Sequence, residues 1–181
     1  DPPWAYRDKL GRRGASANYR TLSVGEIAAL PIADIAAPHC VLAMWWVPPQ
    51  PAEALALVDA WGFKLKTMKA LTWRKLTSTG KPCFGLGHWT RGNTEDVLIA
   101  ERGGEDVDGW ACEDVLLATR GKPRRVNAGV SQLIDAPRLE HSRKPDAVAD
   151  ALLQLVGYVP RIELFARRRR PDGWDYWGDE L

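Results

Sequence analysis

The first four residues combine groups that can act together on an aromatic amine. Asp1 provides a carboxylate acceptor, and the carbonyl of Pro2 provides a second acceptor. Because Pro2 and Pro3 lack a backbone N–H and stiffen the turn, we expect both acceptors to point outward. The ring of Trp4 can stack on a flat base. The motif therefore predicts a site that holds an exocyclic amino group, such as N6 of adenine, by its N–H protons.

Methyl transfer is the chemistry that such a site would serve. The amine of adenine is a poor nucleophile because its lone pair is delocalised into the ring, so its N–H bonds must be polarised. The methyl group of a sulfonium is strongly electrophilic and needs neither an enzyme nucleophile nor a metal ion. Positioning and electrostatic stabilisation then do most of the catalysis. The scattered positions of the three cysteines and three histidines likewise predict no metal site.

The composition is that of a folded domain with local basic clusters. A chain of 181 residues suits one domain, and its longest apolar run, residues 40–47, is too short to span a membrane. An odd number of scattered cysteines fits reduced thiols in a cytoplasm. The net charge is only +2, so clustered basic residues favour a local patch for an anionic partner. The clusters are Lys9 with Arg12 and Arg13, Lys122 with Arg124 and Arg125, and residues 167–170.

Helical and strand patterns alternate along the chain. Ser23 and Glu26 form a capping box, and apolar residues recur at helical spacing after Pro51 and after Pro145. Residues 40–47, 63–75 and 161–166 read as strands, and segments 5–22 and 77–94 read as loops. This order predicts an α/β fold with a mostly parallel sheet and helices on both faces. Ligands of such sheets bind at the carboxyl ends of the strands.

Two strand-like segments are near copies of each other. They read EDVLIAERG at 95–103 and EDVLLATRG at 113–121, and a local duplication is the simplest source. Either copy can be the sheet strand, and the other would project as a hairpin. We expect residues 101–118 to be an insertion within a single domain that spans 1–181. We also expect a further strand to precede Asp1, outside the present sequence.

Five segments form an ordered set of motifs. They are DPPW at 1–4, GLGHWTRGNTE at 85–95, EHSRKPD at 140–146, ELFAR at 163–167 and GWDYWGDE at 173–180. In this order they resemble the motifs of the MT-A70 family of adenine-N6 methyltransferases, in particular its compact bacterial and phage members. The resemblance covers nearly the whole chain, and five motifs in order are far more specific than any one of them.

The resemblance implies a fold, a cofactor and a set of contacts. The fold would be a Rossmann-like class I methyltransferase sheet in circularly permuted order, with the catalytic motif first and most cofactor contacts last. The cofactor would be S-adenosylmethionine, whose methionine end Lys144 would reach and Asp1 would border. Further cofactor contacts, to the ribose and adenine, are implied for Glu163, Arg167, Arg169, Arg170, Asp179 and Glu180. From the residues alone, Lys144 also fits a position before a helix, and Glu163 also fits a pairing with Arg167 along one strand face.

The resemblance also assigns the two loops to the target strand. Basic side chains would neutralise phosphates and aromatic rings would stack a base. The candidates are Tyr6, Arg7, Lys9, Arg12, Arg13, Lys81, His88, Trp89, Arg91 and Asn93. A duplex substrate would need its adenine flipped out to reach Asp1. Family analogy favours DNA over RNA. The short apolar runs predict no membrane partner, and a homodimer or a pairing with a related MT-A70-like subunit is left open.

One departure from the family pattern keeps other functions open. The chain has Asp179 where the closing motif carries asparagine, and an ionised aspartate cannot donate a hydrogen bond to the cofactor. A catalytically silent nucleic-acid-binding subunit is therefore an alternative, although such subunits typically lack DPPW. Cytosine chemistry fits less well. Pro82 and Cys83 stand without the other motifs of a C5 enzyme, and N4 enzymes usually begin their motif with serine.

Overall fold

The computed structural model describes residues 1–5, 20–47, 50–83, 112–139, 143–169 and 173–178. Its helices are α1 (Val24–Ala28), α2 (Ile32–Ile35), α3 (Pro51–Ala60) and α4 (Asp146–Val156). Its strands are β1 (Cys40–Trp46), β2 (Lys64–Leu76), β3 (Cys112–Arg120), β4 (Leu133–Pro137), β5 (Ile162–Leu164) and β6 (Asp175–Trp177). The predicted helices α1, α3 and α4 and the strands β1 and β2 are confirmed, whereas α2, β4 and β6 have no counterpart in the prediction. No helix in the described ranges is long and apolar enough to cross a membrane.

Local sequence signals set the ends of the helices. The Ser23 N–H donates to Glu26 Oε2 at 2.8 Å and the Glu26 N–H donates to Ser23 Oγ at 3.3 Å, so the predicted capping box is present. The hydrogen bonds from Ser23 hold the pKa of Glu26 below its ordinary value. α4 begins directly after Pro145 and ends directly before Gly157, whose φ is 81°. Lys144 therefore lies at the amino end of α4.

Four strands form a mixed sheet in the order β1–β3–β2–β4. β3 is antiparallel to both β1 and β2, whereas β2 and β4 are parallel. β1, β2 and β4 therefore point the same way, and their carboxyl ends lie at one edge of the sheet. The α/β architecture is confirmed, but the prediction of a mostly parallel sheet is wrong. Because β3 returns between β1 and β2, two of the three strand pairings are antiparallel.

The second copy of the repeated segment enters the sheet. It lies in β3, where Val115 is opposite Trp45 of β1 on one side and Leu71 of β2 on the other. This central position leaves Val115 only 1% exposed and Leu116 0% exposed. The first copy, at 95–103, lies outside the described residues.

Each face of the sheet carries an apolar cluster, because successive side chains of a strand point to opposite sides. On one face, Met44 of β1 packs in a cluster with Leu57 of α3. On the other face, Val115 of β3 packs in a cluster with Val148 of α4, and Trp45 lies on this side. Helices thus cover both faces, as predicted, and Trp45 is directed to the face that α4 covers.

β5 and β6 form a separate parallel pair that brings the ELFAR and GWDYWGDE motifs together. The predicted strand at 161–166 is shorter than expected, because β5 ends at Leu164 and Phe165 has a φ of 59°. Gly178 permits a close backbone approach, since a Cβ at that position would lie 2.3 Å from the Ala166 carbonyl oxygen. The two motifs therefore pack backbone against backbone where the strands end.

Candidate active site

Asp1 and Lys144 form an ion pair although they lie far apart in the sequence. Lys144 Nζ is 2.9 Å from Asp1 Oδ2. The Lys144 side chain is 15% exposed and the Asp1 side chain is 33% exposed, so the pair is partly accessible to solvent. The structure thus brings together two residues for which the family resemblance implies contacts with the same end of a cofactor.

Two backbone hydrogen bonds fix the turn that follows Asp1. The Trp4 N–H donates to the Pro2 carbonyl at 2.8 Å, and the Leu22 N–H donates to the Pro3 carbonyl at 2.9 Å. Pro2 itself is buried. The Pro2 carbonyl oxygen has two lone pairs and can therefore accept a second hydrogen bond. Its role as an acceptor for an amine stays a prediction.

Trp4 is placed differently from what base stacking requires. It is 2% exposed and packs in the cluster that contains Met44 and Leu57. A ring buried to this extent offers no open face to a base, so stacking would first require the ring to be uncovered. In the described structure Trp4 instead anchors the DPPW motif to the core.

Trp45 lies beside Lys144, and this contact was not predicted from the sequence. Lys144 Nζ lies 5.1 Å from the centroid of its ring. The ring also makes an edge contact with Trp73, with centroids 6.4 Å apart and an angle of 73° between the planes. The available signal was its position near the carboxyl end of a predicted strand, where ligands of such sheets bind.

Gln50 contacts the segment that follows the DPPW motif, which was not predicted from the sequence. It is 9% exposed, and its Nε2 donates to the carbonyl of Ala5 at 3.0 Å. Its Oε1 is buried without a hydrogen-bond partner among the described residues. Gln50 therefore joins the start of α3 to the residue that directly follows the DPPW motif.

The closing motifs place Glu163 beside β6. Glu163 is half-buried and lies opposite Tyr176, and the Ala166 N–H donates to the Trp177 carbonyl at 3.0 Å. The ring of Phe165 makes an edge contact with that of Trp177, with centroids 5.4 Å apart. These contacts fix the backbone from which the predicted ribose contacts project.

Arg168 connects the ELFAR segment to the start of α4. Its Nη2 contacts Asp146 Oδ1, two residues after Lys144. The neighbouring Arg167 and Arg169 are exposed. Because β5 ends at Leu164, the strand-face argument for pairing Glu163 with Arg167 does not hold.

Many predicted contacts lie outside the described residues. Lys81 is described and is exposed, at the start of the second predicted loop. The cofactor and substrate contacts outside the described residues are Tyr6, Arg7, Lys9, Arg12, Arg13, His88, Trp89, Arg91, Asn93, Arg170, Asp179 and Glu180.

A buried carboxylate lies in the sheet, apart from the predicted set. Asp114 of β3 is 9% exposed and accepts a hydrogen bond of 2.7 Å from the Thr72 hydroxyl of β2. Burial raises the pKa of Asp114 above its ordinary value, and the hydrogen bond from Thr72 and the charge of Lys69 oppose this increase. The first copy of the repeat has the same aspartate, so the sequence could not predict which copy would be buried.

Comparisons with known proteins agree with the motif order. A sequence profile of the family MT-A70 matches residues 1–180. The chain is 32% identical over its full length to the type II methyltransferase M.MunI of a Mycoplasma species, of which it covers 75%. It is also 32% identical to the N6-methyladenosine RNA methyltransferase MTA1 of Cryphonectria parasitica and 28% identical to the human N(6)-adenine-specific methyltransferase METTL4. All of this chain aligns in both cases, and it covers 50% and 36% of those proteins.

The ion pair, the packed closing motifs and the sequence matches lead to one assignment. Asp1 and Lys144 meet at 2.9 Å, and the profile match extends from the first motif through the last one. The chain therefore belongs to the MT-A70 family of adenine-N6 methyltransferases.

Proposed function

We propose that this chain transfers a methyl group from S-adenosylmethionine to N6 of adenine in DNA. The observation that carries the proposal is the ion pair of Asp1 and Lys144, which puts the carboxylate of the DPPW motif 2.9 Å from the lysine of the KPD motif. A carboxylate has two oxygens and can accept several hydrogen bonds, so Asp1 can keep its contact with Lys144 and still accept an N–H from adenine. The Pro2 carbonyl is the proposed second acceptor.

The residues present fit the amino-acid end of the cofactor. That end carries an ammonium and a carboxylate, and Asp1 and Lys144 present the two complementary charges side by side. When bound, S-adenosylmethionine supplies the methyl group as a sulfonium. The chain's own task is to position the amine and to accept hydrogen bonds from its N–H groups, at Asp1 and the Pro2 carbonyl, as positive charge develops on the nitrogen.

The remaining cofactor and fold assignments extend the same proposal. Glu163 and the exposed Arg167 and Arg169 would contact the ribose, as would Arg170, while Asp179 and Glu180 would lie near the ribose and adenine. The packing of β5 against β6 supports this, because both motifs end at the same place. The sheet would belong to a permuted Rossmann-like fold, and the mixed sheet with helices on both faces supports that assignment.

DNA is the proposed substrate, and RNA is the alternative. The match to a type II methyltransferase favours DNA, and the match to an RNA methyltransferase supports RNA. The segments after the DPPW motif and after Lys81 would bind the target strand, with the adenine flipped out if the strand is paired. The reaction would take place in the cytoplasm, with one chain or a pair of related chains as the active unit.

Substitution of Asp1 tests the proposed function. Purified protein is incubated with labelled S-adenosylmethionine and either DNA or RNA, and the nucleosides are then separated. We expect labelled N6-methyladenine from DNA, and a loss of at least about 100-fold in rate for Asp1→Ala with an unchanged circular dichroism spectrum. The matched control is Asp59→Ala, which removes an exposed aspartate from α3 and leaves the rate unchanged.

Three other outcomes would each change the conclusion. An undiminished amount of product from Asp1→Ala would show that Asp1 is not the acceptor for the adenine amine. Methylated product in RNA alone would show that the substrate is RNA and not DNA. No product from either nucleic acid, together with no calorimetric binding of the cofactor, would favour a silent nucleic-acid-binding subunit.

A further inference from the structure

Trp45 is placed to control the position of the Lys144 ammonium. Lys144 Nζ lies 5.1 Å from the centroid of the Trp45 ring, within the range of about 6 Å for a cation–π contact, and 2.9 Å from Asp1 Oδ2. The ammonium thus has an aromatic face and a carboxylate as neighbours. We propose that Trp45 is a positioning residue that holds Lys144 beside Asp1 and so prepares both charges for the amino-acid end of the cofactor.

The surroundings of Trp45 make its ring a fixed support. Trp45 belongs to β1 and pairs with Val115 of the central strand β3. Its ring meets Trp73 edge-on, and Trp73 is 2% exposed with its Nε1 donating to the Ala136 carbonyl at 2.9 Å. A hydrogen-bonded, buried tryptophan therefore supports the ring that faces Lys144.

A lysine at this position gains from such a support. Its ammonium ends a flexible four-carbon stem, which has many rotamers to lose when the charge is held in one place. The Lys144 side chain is only 15% exposed, and reduced hydration strengthens the attraction between an ammonium and an indole face. An aliphatic side chain at residue 45 would fill space but would not attract the charge, so the ion pair would become less ordered.

Nuclear magnetic resonance of the cofactor-free protein tests the contact directly. The Cε protons of Lys144, assigned by comparison with Lys144→Met, should be shifted upfield by the ring current of Trp45. We expect Trp45→Leu to abolish the shift and Trp45→Phe to retain part of it. An unchanged Lys144 signal in Trp45→Leu would overturn the proposal.

Calorimetric titration with S-adenosylmethionine tests the consequence, and this arm rests on the proposed function. We expect Trp45→Leu to raise the Kd by about 3- to 30-fold, and Trp45→Phe to raise it by less than about threefold. With saturating cofactor, kcat should change less than the Kd. In a Lys144→Met background, Trp45→Leu should have no further effect, because Trp45 acts through Lys144. Fully additive effects would show that Trp45 acts by packing alone and would overturn the proposal.

A matched control lies at the other end of α4. Tyr158 faces Arg161 at 5.4 Å in a contact of the same kind, and α4 separates it from Lys144 by about 16 Å of helix. Tyr158→Leu should leave the Lys144 signal and the cofactor Kd unchanged. Melting temperatures of all variants identify any that do not fold, and Trp45→Phe keeps an aromatic ring for that reason. A normal ring-current shift without cofactor binding would count against the proposed function and would leave the contact between Trp45 and Lys144 established.

Discussion

The Asp1 carboxylate and the Lys144 ammonium carry opposite charges, and Oδ2 of Asp1 lies 2.9 Å from Nζ of Lys144. The two side chains are 33% and 15% exposed. A partly exposed ion pair contributes about 0–1 kcal/mol to folding, because the ordering of two side chains offsets most of the attraction between the charges. The pair is therefore better explained by chemistry than by stability. Asp114 is the opposite case, since its carboxylate is buried within the sheet and its main electrostatic effect is on the folded state.

Asp114→Asn should stabilise the protein at neutral pH. Burial raises the pKa of Asp114 above its ordinary value of 3.8, so the folded state binds the proton more tightly than the unfolded chain does. The contribution of this group to the free energy of unfolding is therefore largest at low pH and falls as the pH rises through the raised pKa. Asparagine can still accept the Thr72 hydrogen bond without a charge. Urea unfolding of both proteins should show a gain at pH 7 that shrinks towards pH 3.8.

Thr72→Val provides the control for this prediction. It removes the hydroxyl that donates to Asp114 and should lower the free energy of unfolding by about 1–3 kcal/mol at pH 7. A lower stability of Asp114→Asn than of the unchanged protein at pH 7 would contradict the prediction. It would show that the contacts of the charged carboxylate stabilise the fold by more than its burial costs.

At the scale of elements, the sequence predicted what depends on local signals. The capping box at Ser23, the proline before α4 and the glycine after it each act within a few residues, and both helices, α1 and α4, are where the pattern placed them. The position of β3 depends on a choice between two near-identical segments, which no local signal can decide. The burial of Trp4 depends on packing against α3, so a motif that suggests stacking proved to contain a core residue.

Gly178→Ala should separate β5 from β6. The added Cβ would lie 2.3 Å from the Ala166 oxygen and 2.8 Å from the Ala166 nitrogen, and these backbone atoms can move only if the segment that follows β5 moves with them. We expect a loss of about 1–3 kcal/mol in the free energy of unfolding, measured by thermal melting. Gly25→Ala is the matched control, because a Cβ there meets nothing within 4 Å and should add about 0.4–1 kcal/mol. Equal melting temperatures for the two variants would contradict the close approach.

At the scale of the whole molecule, a net charge of +2 means that nucleic-acid binding must come from local clusters. The topology places one of them relative to the predicted site. The cluster at 122–125 follows the carboxyl end of β3, which runs against β1 and β2, so it lies at the edge of the sheet away from the carboxyl end of β1 and Trp45. The cluster at 9–13 follows the DPPW motif directly.

Arg12→Gln combined with Arg13→Gln should weaken DNA binding in a salt-dependent way. For each phosphate that the protein no longer neutralises, the slope of log affinity against log salt concentration should decrease by about 1, as measured by fluorescence anisotropy. The cofactor Kd should not change. Arg124→Gln with Arg125→Gln removes the same charge from exposed positions at the edge of the sheet away from Trp45, and should leave the slope unchanged. The reverse pattern would move the binding surface to that edge.

The strand order also governs how the sheet can be completed during synthesis. β1 and β2 are joined through β3 rather than to each other, and β3 is the later segment in the chain. Until the ribosome has released residues 112–120, the backbone groups that β1 and β2 offer to β3 have no native partner. Nascent chains that stop before this point would expose strand edges, which are the usual templates for aggregation. Soluble truncated versions of this domain should therefore extend at least through β3.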